Sequence, residues 1–256
     1  MCGRFLSSTP VSELAERFLA AEVTAEEREP RYNVAPTDEV LVVATSRGIR
    51  RLGTSSWGLV PSWAGSAAGG RRMVNLRSET VAERPGFRRM LQERRCIVPA
   101  DGFYEWQAPA DGRAKQPYLI RARDRSPLAL AGLWDVWADR TGPAAGRLRT
   151  CTVLTTVSND AIAAVHHRMP VILPPATWDT WLDPSVTDVG ELTSLLGPYD
   201  GGPLELVAVG TAVNNVRNDG PSLIEPVERA EAGQARGTGG GFAQMLPFGA
   251  DDPPMR

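Results

Sequence analysis

The chain has 256 residues, with 28 Lys and Arg against 30 Asp and Glu, and its length suits one large domain or two small ones. A hydrophobic fraction of 42% and a charged fraction of 23% exclude a chain that is disordered throughout. The net charge of −2 gives no overall attraction to nucleic acid or anionic membranes. However, Lys115 is the only lysine, so almost every cation is an arginine, which suits phosphate and carboxylate.

The first half of the chain predicts two helices and a buried strand. Residues 10–20 place apolar side chains at helical spacing, after Ser8 or Thr9 as the capping residue. Val40–Ala44 is a run typical of a buried strand, and residues 77–95 carry the next helical pattern.

The second half is richer in strands. Short helices are predicted at 158–167, with Ser158 or Asn159 as the cap, and then at 174–183 and 189–197. The strand-like segments, separated by turn residues, are 94–107, 117–124, 127–138, 148–157 and 204–213.

Strands in series with few intervening helices predict an α+β fold with antiparallel sheet. We expect a single domain over residues 1–228, although the strand pattern alone leaves a barrel and a sandwich open. Residues 229–256 are rich in Gly, Ala and Pro without periodicity, which predicts a disordered tail.

The cysteines predict free thiols. Cys2, Cys96 and Cys151 form no CxxC pair or zinc spacing, and an odd number argues against a disulfide framework. The chain has no apolar run long enough to span a membrane and no signal-peptide pattern at its start. We therefore expect a cytoplasmic protein without metal or organic cofactor, in which Cys96 and Cys151 are small buried apolar side chains.

Cys2 directly follows Met1, and removal of Met1 would place a thiol and a free α-amine on one residue. Both groups titrate near neutral pH, the amine at about 7.7–8.0 and the thiol at about 8.5. Such a 1,2-aminothiol condenses with aldehydes, first to an imine and then to a thiazolidine. Taken alone, a cysteine at this position is more often an accident of composition.

Three further segments hold candidate residues for proton transfer or binding. Both histidines, His166 and His167, lie in VHHRMPVIL without zinc-binding spacing, so His166 is either a general acid–base or the end of a helix. Glu105 follows an aromatic residue in GFYEW, where it is either partly desolvated for proton transfer or a charge on an edge strand. Asn75 opens NLRSET, a pattern that also suits simple helix capping.

A basic segment covers residues 71–95, which hold eight Arg and three Glu. It includes Arg71, Arg72 and Arg77, and Trp63 lies upstream. Cations beside aromatic side chains are typical of single-stranded nucleic-acid binding, but a solvated helix face is the alternative.

Together these motifs resemble the SOS response-associated peptidase (SRAP) family over roughly residues 2–227. The resemblance implies a barrel-like β core with short flanking helices. It also implies a covalent crosslink to abasic sites in single-stranded DNA, formed in the DNA damage response. The matching blocks, in the family's order, are MCGRF, RYNVAPT, WGLVPSW, NLRSET, ADGFYEW, TTVSND, HHRMPVIL and VNNVRNDGPSLIEPV.

The resemblance also assigns residues. Cys2 would be the crosslinking residue once Met1 is removed, with Asn75, Glu105 and His166 as its catalytic neighbours. One departure is that Ala64 follows the tryptophan of WGLVPSW where some relatives have a second tryptophan, which implies a smaller stacking platform. The positions that match the family's DNA contacts are Arg4, Pro36, Trp63, Arg77 and Arg168.

Two other functions fit parts of this pattern. One is a thiol peptidase whose main act is the removal of its own Met1. The other is a noncatalytic binder of single-stranded DNA, which would not need Cys2, Glu105 and His166 together. We expect a monomer that crosslinks abasic DNA, and the sequence leaves open whether it also reverses the link. On DNA damage, we expect the protein to associate with the nucleoid.

Overall fold

The strands of the computed structural model form two sheets around a shared core. The structure describes residues 2–67, 73–108, 112, 114–138 and 146–227. The strands are β1 Phe5–Ser7, β2 Glu22–Val23, β3 Arg31–Val34, β4 Glu39–Ser46, β5 Ile49–Trp57, β6 Asn75–Arg77, β7 Arg95–Ala100, β8 Gly102–Gln107, β9 Gln116–Ala122, β10 Leu128–Ala138, β11 Arg147–Val157, β12 Arg168–Pro170 and β13 Leu204–Ala208. The α-helices are α1 Val11–Arg17, α2 Pro85–Glu93, α3 Asp160–Ala163, α4 Trp178–Leu182 and α5 Val189–Ser194.

The larger sheet closes on itself. Its pairings run from β11 to β10, β7, β4 and β5, and β5 returns to β11, so five strands form a closed ring. All of these pairings are antiparallel except that of β5 with β11. Arg47 and Gly48 join β4 to β5, and both have positive φ, 54° and 75°, as the tightest hairpin turns require. Among the described residues, only two residue pairs join β5 to β11, and the same edge of β11 continues beyond them to pair with β6.

The second sheet is antiparallel and open, in the order β13–β9–β8–β1–β3. Only Asp101 separates β8 from β7, so the chain passes there from the barrel to the second sheet. The Asp101 carboxylate accepts hydrogen bonds from the backbone and hydroxyl groups of Ser8 and Thr9. These bonds fix the corner at which β1 ends, and with it the N-terminal segment.

Alternate residues of the barrel strands enter two different apolar clusters. On β4, Leu41 and Val43 pack with residues of α1, α2, α4 and α5, whereas Val40 and Val42 pack with the second sheet and with Cys2. The period of two in a strand therefore gives one face to the helices and the other to the N-terminal segment.

The α+β prediction and the barrel-like core are confirmed, and Cys96 and Cys151 are both buried. The predicted helix at 77–95 is wrong in its first half. Arg77 ends a strand that pairs in parallel with β11, residues 78–84 form turns, and the helix begins only at Pro85. A parallel pairing with a segment some 80 residues away in sequence overrides the local pattern.

The predicted helix cap at Ser8 or Thr9 is also wrong. Pro10 is the residue before the first helix. The first two N–H groups of that helix, those of Val11 and Ser12, donate to the Glu27 carboxylate at 2.9 and 2.8 Å. For the third helix, Asn159 is the cap, as predicted, and accepts from the Ile162 N–H. The predicted tail at 229–256 lies outside the described residues. Within the described part of the chain, no helix is long and apolar enough to cross a membrane.

Candidate active site around Cys2

Cys2 lies inside the molecule, although it is next to the N-terminus. Phe5 of β1 is paired with Phe103 of β8 on one side and with Val34 of β3 on the other. This central position in the sheet carries the preceding residues into the core, where Cys2 is fully buried. The Asn75 side-chain amide donates to the Cys2 carbonyl at 2.7 Å. The Asn75 Oδ1 atom is buried and accepts no hydrogen bond from the described residues.

Glu105 lies on β8 and is only 3% exposed, so a solvated edge charge is excluded. Its neighbour on the same face, Phe103, is fully buried as well. Burial, and after it the negative charge of Glu105, raises the pKa of the Cys2 thiol well above its ordinary value. The thiol is therefore protonated at neutral pH in this structure.

His166 joins the same site from the loop between α3 and β12. His166 Nδ1 lies 3.0 Å from the Arg168 backbone nitrogen and 3.1 Å from the Arg168 carbonyl oxygen, so it accepts from the N–H in one tautomer and donates to the carbonyl in the other. Burial lowers the pKa of His166, while the Glu105 charge acts in the opposite direction. The ring stacks on that of His167, with centroids 4.5 Å apart. Glu105 thus acts electrostatically on both Cys2 and His166, which places the three groups in one site.

Arg168 is buried, and its side chain is already paired. Its guanidinium forms two hydrogen bonds with the Glu79 carboxylate, at 2.5 and 3.0 Å, and a third with the Thr155 carbonyl at 2.6 Å. A bidentate pair of this kind fixes the orientation of both groups. The same residue supplies the N–H that holds His166, so contact with a phosphate would require Arg168 to exchange Glu79 for it.

The other predicted DNA contacts differ in exposure. Arg77 is exposed and is the last residue of β6, the strand that begins with Asn75. Trp63 is 56% exposed and packs over Gly86 and Phe87, 5.9 Å between the Trp63 and Phe87 rings. Pro36 is half-buried in the turn after β3.

Arg4 is half-buried and anchored within the protein. Its Nη1 donates to Asn33 Oδ1 at 2.7 Å and to the Val213 carbonyl at 2.8 Å, and its guanidinium lies 5.8 Å from the Trp106 ring centroid. Asn33 in turn donates to the carbonyls of Val213, Asn215 and Asn218. This cluster fastens the last motif of the chain, VNNVRNDGPSLIEPV, to β3.

Among the described residues of the basic segment, the arginines do not form one continuous patch. Arg71 and Arg72 lie outside the described residues. Arg94 pairs with the buried Asp135, and Arg95 is buried. The exposed arginines of the segment are Arg77, Arg84, Arg88 and Arg89.

Two site residues were not found from the sequence. The Glu79 side chain pairs with Arg168, and the Asn33 side chain accepts a hydrogen bond from Arg4. Both residues lie within the motifs NLRSET and RYNVAPT, but the sequence assigned neither of them a role. Their positions in those motifs are the one signal that could have indicated them. Among the described residues, no three His, Cys, Asp or Glu side chains gather as a metal site would require.

Comparison with known proteins decides the family. The profile of the family described as SOS response associated peptidase (SRAP) matches residues 1–216. The chain belongs to the SRAP family. It is 40% identical over 226 residues to the abasic site processing protein YoqW of Bacillus subtilis, covering 88% of this chain and 99% of that one. It is 30% identical to the abasic site processing protein YedK of Escherichia coli, covering 89% of this chain and 100% of that one.

The fold of this SRAP chain is also found among solved structures. A Bacteroides thetaiotaomicron protein matches it with a TM-score of 0.78 and 26% identity, covering 89% of this chain and 100% of the other. The fold described above is therefore shared with a solved structure.

The lowered pKa of His166 predicts a pH-dependent stability. A histidine with a lower pKa in the folded chain binds fewer protons there, so the free energy of unfolding falls as the pH drops below about 6.5, the unfolded value. The slope is limited to about 1.4 kcal/mol per pH unit for one proton. His166→Asn keeps an acceptor for the Arg168 N–H and should flatten this slope. Urea unfolding between about pH 7.5 and 5.5 measures it.

The control is His167→Asn, which changes the exposed neighbour. It should leave the slope close to that of the unsubstituted protein. Equal slopes in all three proteins would show that His166 does not titrate differently in the folded chain.

Proposed function

We propose that this SRAP protein captures abasic sites in single-stranded DNA as a covalent crosslink through Cys2. The observation that carries the proposal is the convergence of Cys2, Asn75, Glu105 and His166, from four distant parts of the chain, on one buried site. The similar proteins YoqW and YedK are named abasic site processing proteins, which supports the same substrate. Removal of Met1, by the protein itself or by another peptidase, comes first.

The ring-opened abasic sugar offers an aldehyde to the Cys2 α-amine. The amine adds to the aldehyde carbon, and loss of water gives an imine. The thiol then adds to the imine carbon while its proton passes to the nitrogen, which closes a thiazolidine. One water is released overall, and no oxidant is needed. Because the thiol pKa is raised, the amine is the first nucleophile.

The neighbours of Cys2 have distinct parts in this reaction. Glu105 takes the proton of the sugar C1 hydroxyl and passes it to the ring oxygen, which opens the cyclic sugar; it then takes a proton from the amine nitrogen as the amine attacks the aldehyde. In the tautomer whose Nδ1 accepts from the Arg168 N–H, His166 carries its proton on Nε2 and donates it to the oxygen that leaves as water. Asn75 holds the Cys2 carbonyl, and its Oδ1 is positioned to accept from the new α-amine or a sugar hydroxyl. The same groups run the steps backwards when the link is released.

The DNA strand passes over the exposed residues beside this site. Arg77, next in the strand after Asn75 and Leu76, binds a phosphate, and Trp63 and Pro36 contact bases. Arg4 and Arg168 were predicted as phosphate contacts as well. Their present hydrogen bonds suit them to shape the site, with phosphate binding only after those bonds rearrange.

Intact mass spectrometry tests the function directly. The purified protein is measured before and after incubation with single-stranded DNA containing one abasic site, with the same DNA lacking that site as the control. We expect loss of Met1 and a denaturation-resistant one-to-one adduct whose mass is the sum of both molecules minus one water. No adduct from protein that has lost Met1 would overturn the proposal.

A further inference from the structure

A cavity of about 500 Å³ lies at the end of the barrel where the β4–β5 hairpin closes. Side chains at alternate positions of β4, β5, β10 and β11 converge on it, as the inward positions of a closed barrel do. The mouth of a β-barrel is a common place for a small-ligand site. None of Cys2, Asn75, Glu105 and His166 lines the cavity, so it is separate from the candidate active site.

The rim of this cavity is strongly basic in a chain whose net charge is −2. Among the described residues, four arginines line it, Arg47, Arg51, Arg147 and Arg149, and no carboxylate does. Arg51 is paired with Glu22. Within the same part of the chain, the other three have no ion pair. Three arginines collected from two hairpins without a described acidic partner favour an anionic ligand.

The wall below the rim is apolar and includes an aromatic ring. Val42, Ala44 and Val136 line it together with Trp134. The Arg94 guanidinium lies 5.7 Å from the centroid of the Trp134 ring. The part of this ring that lines the cavity offers a surface for a planar ligand group.

We propose that this cavity binds a nucleotide. The phosphate lies between Arg147 and Arg149, where planar guanidinium groups can form paired hydrogen bonds, and the base lies against Trp134 and its apolar neighbours. The nucleotide is either a free mononucleotide or one unit of a DNA strand that runs on around the barrel. The inference uses only this cavity and does not rest on the chemistry of Cys2.

Calorimetric titration with dAMP, deoxyadenosine and inorganic phosphate tests the site. We expect dAMP to bind at least about tenfold more tightly than either of its parts. The double variant Arg147→Glu/Arg149→Glu should weaken dAMP binding by about tenfold or more, because it reverses the charges at the phosphate. Both arginines are exposed and unpaired among the described residues, so the variant should fold normally.

Arg123→Glu is the matched control, because Arg123 is equally exposed and does not line the cavity. It should bind dAMP as the unsubstituted protein does. The proposal is overturned if dAMP fails to bind at millimolar concentration, or if the double variant and Arg123→Glu bind it equally.

A second titration identifies the source of the nucleotide. If the ligand belongs to a DNA strand, the double variant also weakens binding of undamaged single-stranded DNA; if it is free, DNA binding is unchanged. In both cases the rate of adduct formation at saturating abasic DNA should not change. Loss of dAMP binding with intact crosslinking therefore separates this site from that of Cys2.

Discussion

Cys2→Ala should form no denaturation-resistant adduct with abasic single-stranded DNA, a loss on the order of 10³-fold or more, as expected for removal of a covalent nucleophile. Alanine at position 2 still permits removal of Met1, so the variant keeps an α-amine but has no thiol. It can make an imine, which water reverses, but it cannot close the thiazolidine. Borohydride reduction of the imine should therefore restore an adduct in this variant. The yield on denaturing gels, with and without reduction, measures both steps.

Cys96→Ala is the matched control, because Cys96 is equally buried in the same apolar cluster and is the next cysteine along the chain. It should crosslink at the rate of the unsubstituted protein. Noncovalent binding of undamaged DNA should be similar in all three proteins, which shows that the fold is retained. An unreduced adduct of normal yield in Cys2→Ala would rule out the thiazolidine.

Arg95→Met should lower the free energy of unfolding by about 3–5 kcal/mol, the range for breaking a buried charged network. Arg95 begins β7, two residues after the last residue of α2. Burial lowers its pKa to about 10, so it stays charged at neutral pH. Its guanidinium donates to the carbonyls of Leu91 and Gln92 at the end of α2, and to those of Trp181 and Asp183 at the end of α4. One side chain thus caps two helix C-termini, and methionine would leave these carbonyls without their donor.

Urea unfolding measures this loss, and Arg89→Met supplies the comparison. Arg89 lies on α2, has a side chain 76% exposed, and pairs only with Glu93 one turn away. Its replacement should change the free energy of unfolding by less than about 0.5 kcal/mol. A similar small change for Arg95→Met would mean that water replaces the guanidinium at both helix ends.

The parts of the fold that the sequence predicted are those governed by local pattern. Strands such as Leu128–Ala138 and Arg147–Val157 are continuous apolar or alternating runs between turn residues, and their positions follow from that pattern. β6 was missed because NLRSET carries no strand signal of its own. It becomes a strand only because β11, far along the chain, offers it an unpaired edge.

The candidate site shows the same division. Motif resemblance named Cys2, Asn75, Glu105 and His166, but it could not say that Cys2 is fully buried or that Glu105 is shielded from water. Burial depends on which strands flank β1 and β8, a property of the whole sheet. The pairing of Arg168 with Glu79 is likewise invisible in sequence, because the two residues come from different motifs 89 positions apart.

The burial of a residue so near the start of the chain has a consequence for biosynthesis. Cys2 is among the first residues made, whereas His166 is made 164 positions later and the enclosing β12 follows it. At 5–20 residues per second, this interval is on the order of ten to thirty seconds. Asn75 and the strands that flank β1 are made earlier in this interval, but until His166 and β12 follow them the surroundings of Cys2 are incomplete and its thiol is less protected from other electrophiles. Under the proposed function, selectivity for one substrate is therefore complete only when the last quarter of the domain has left the ribosome.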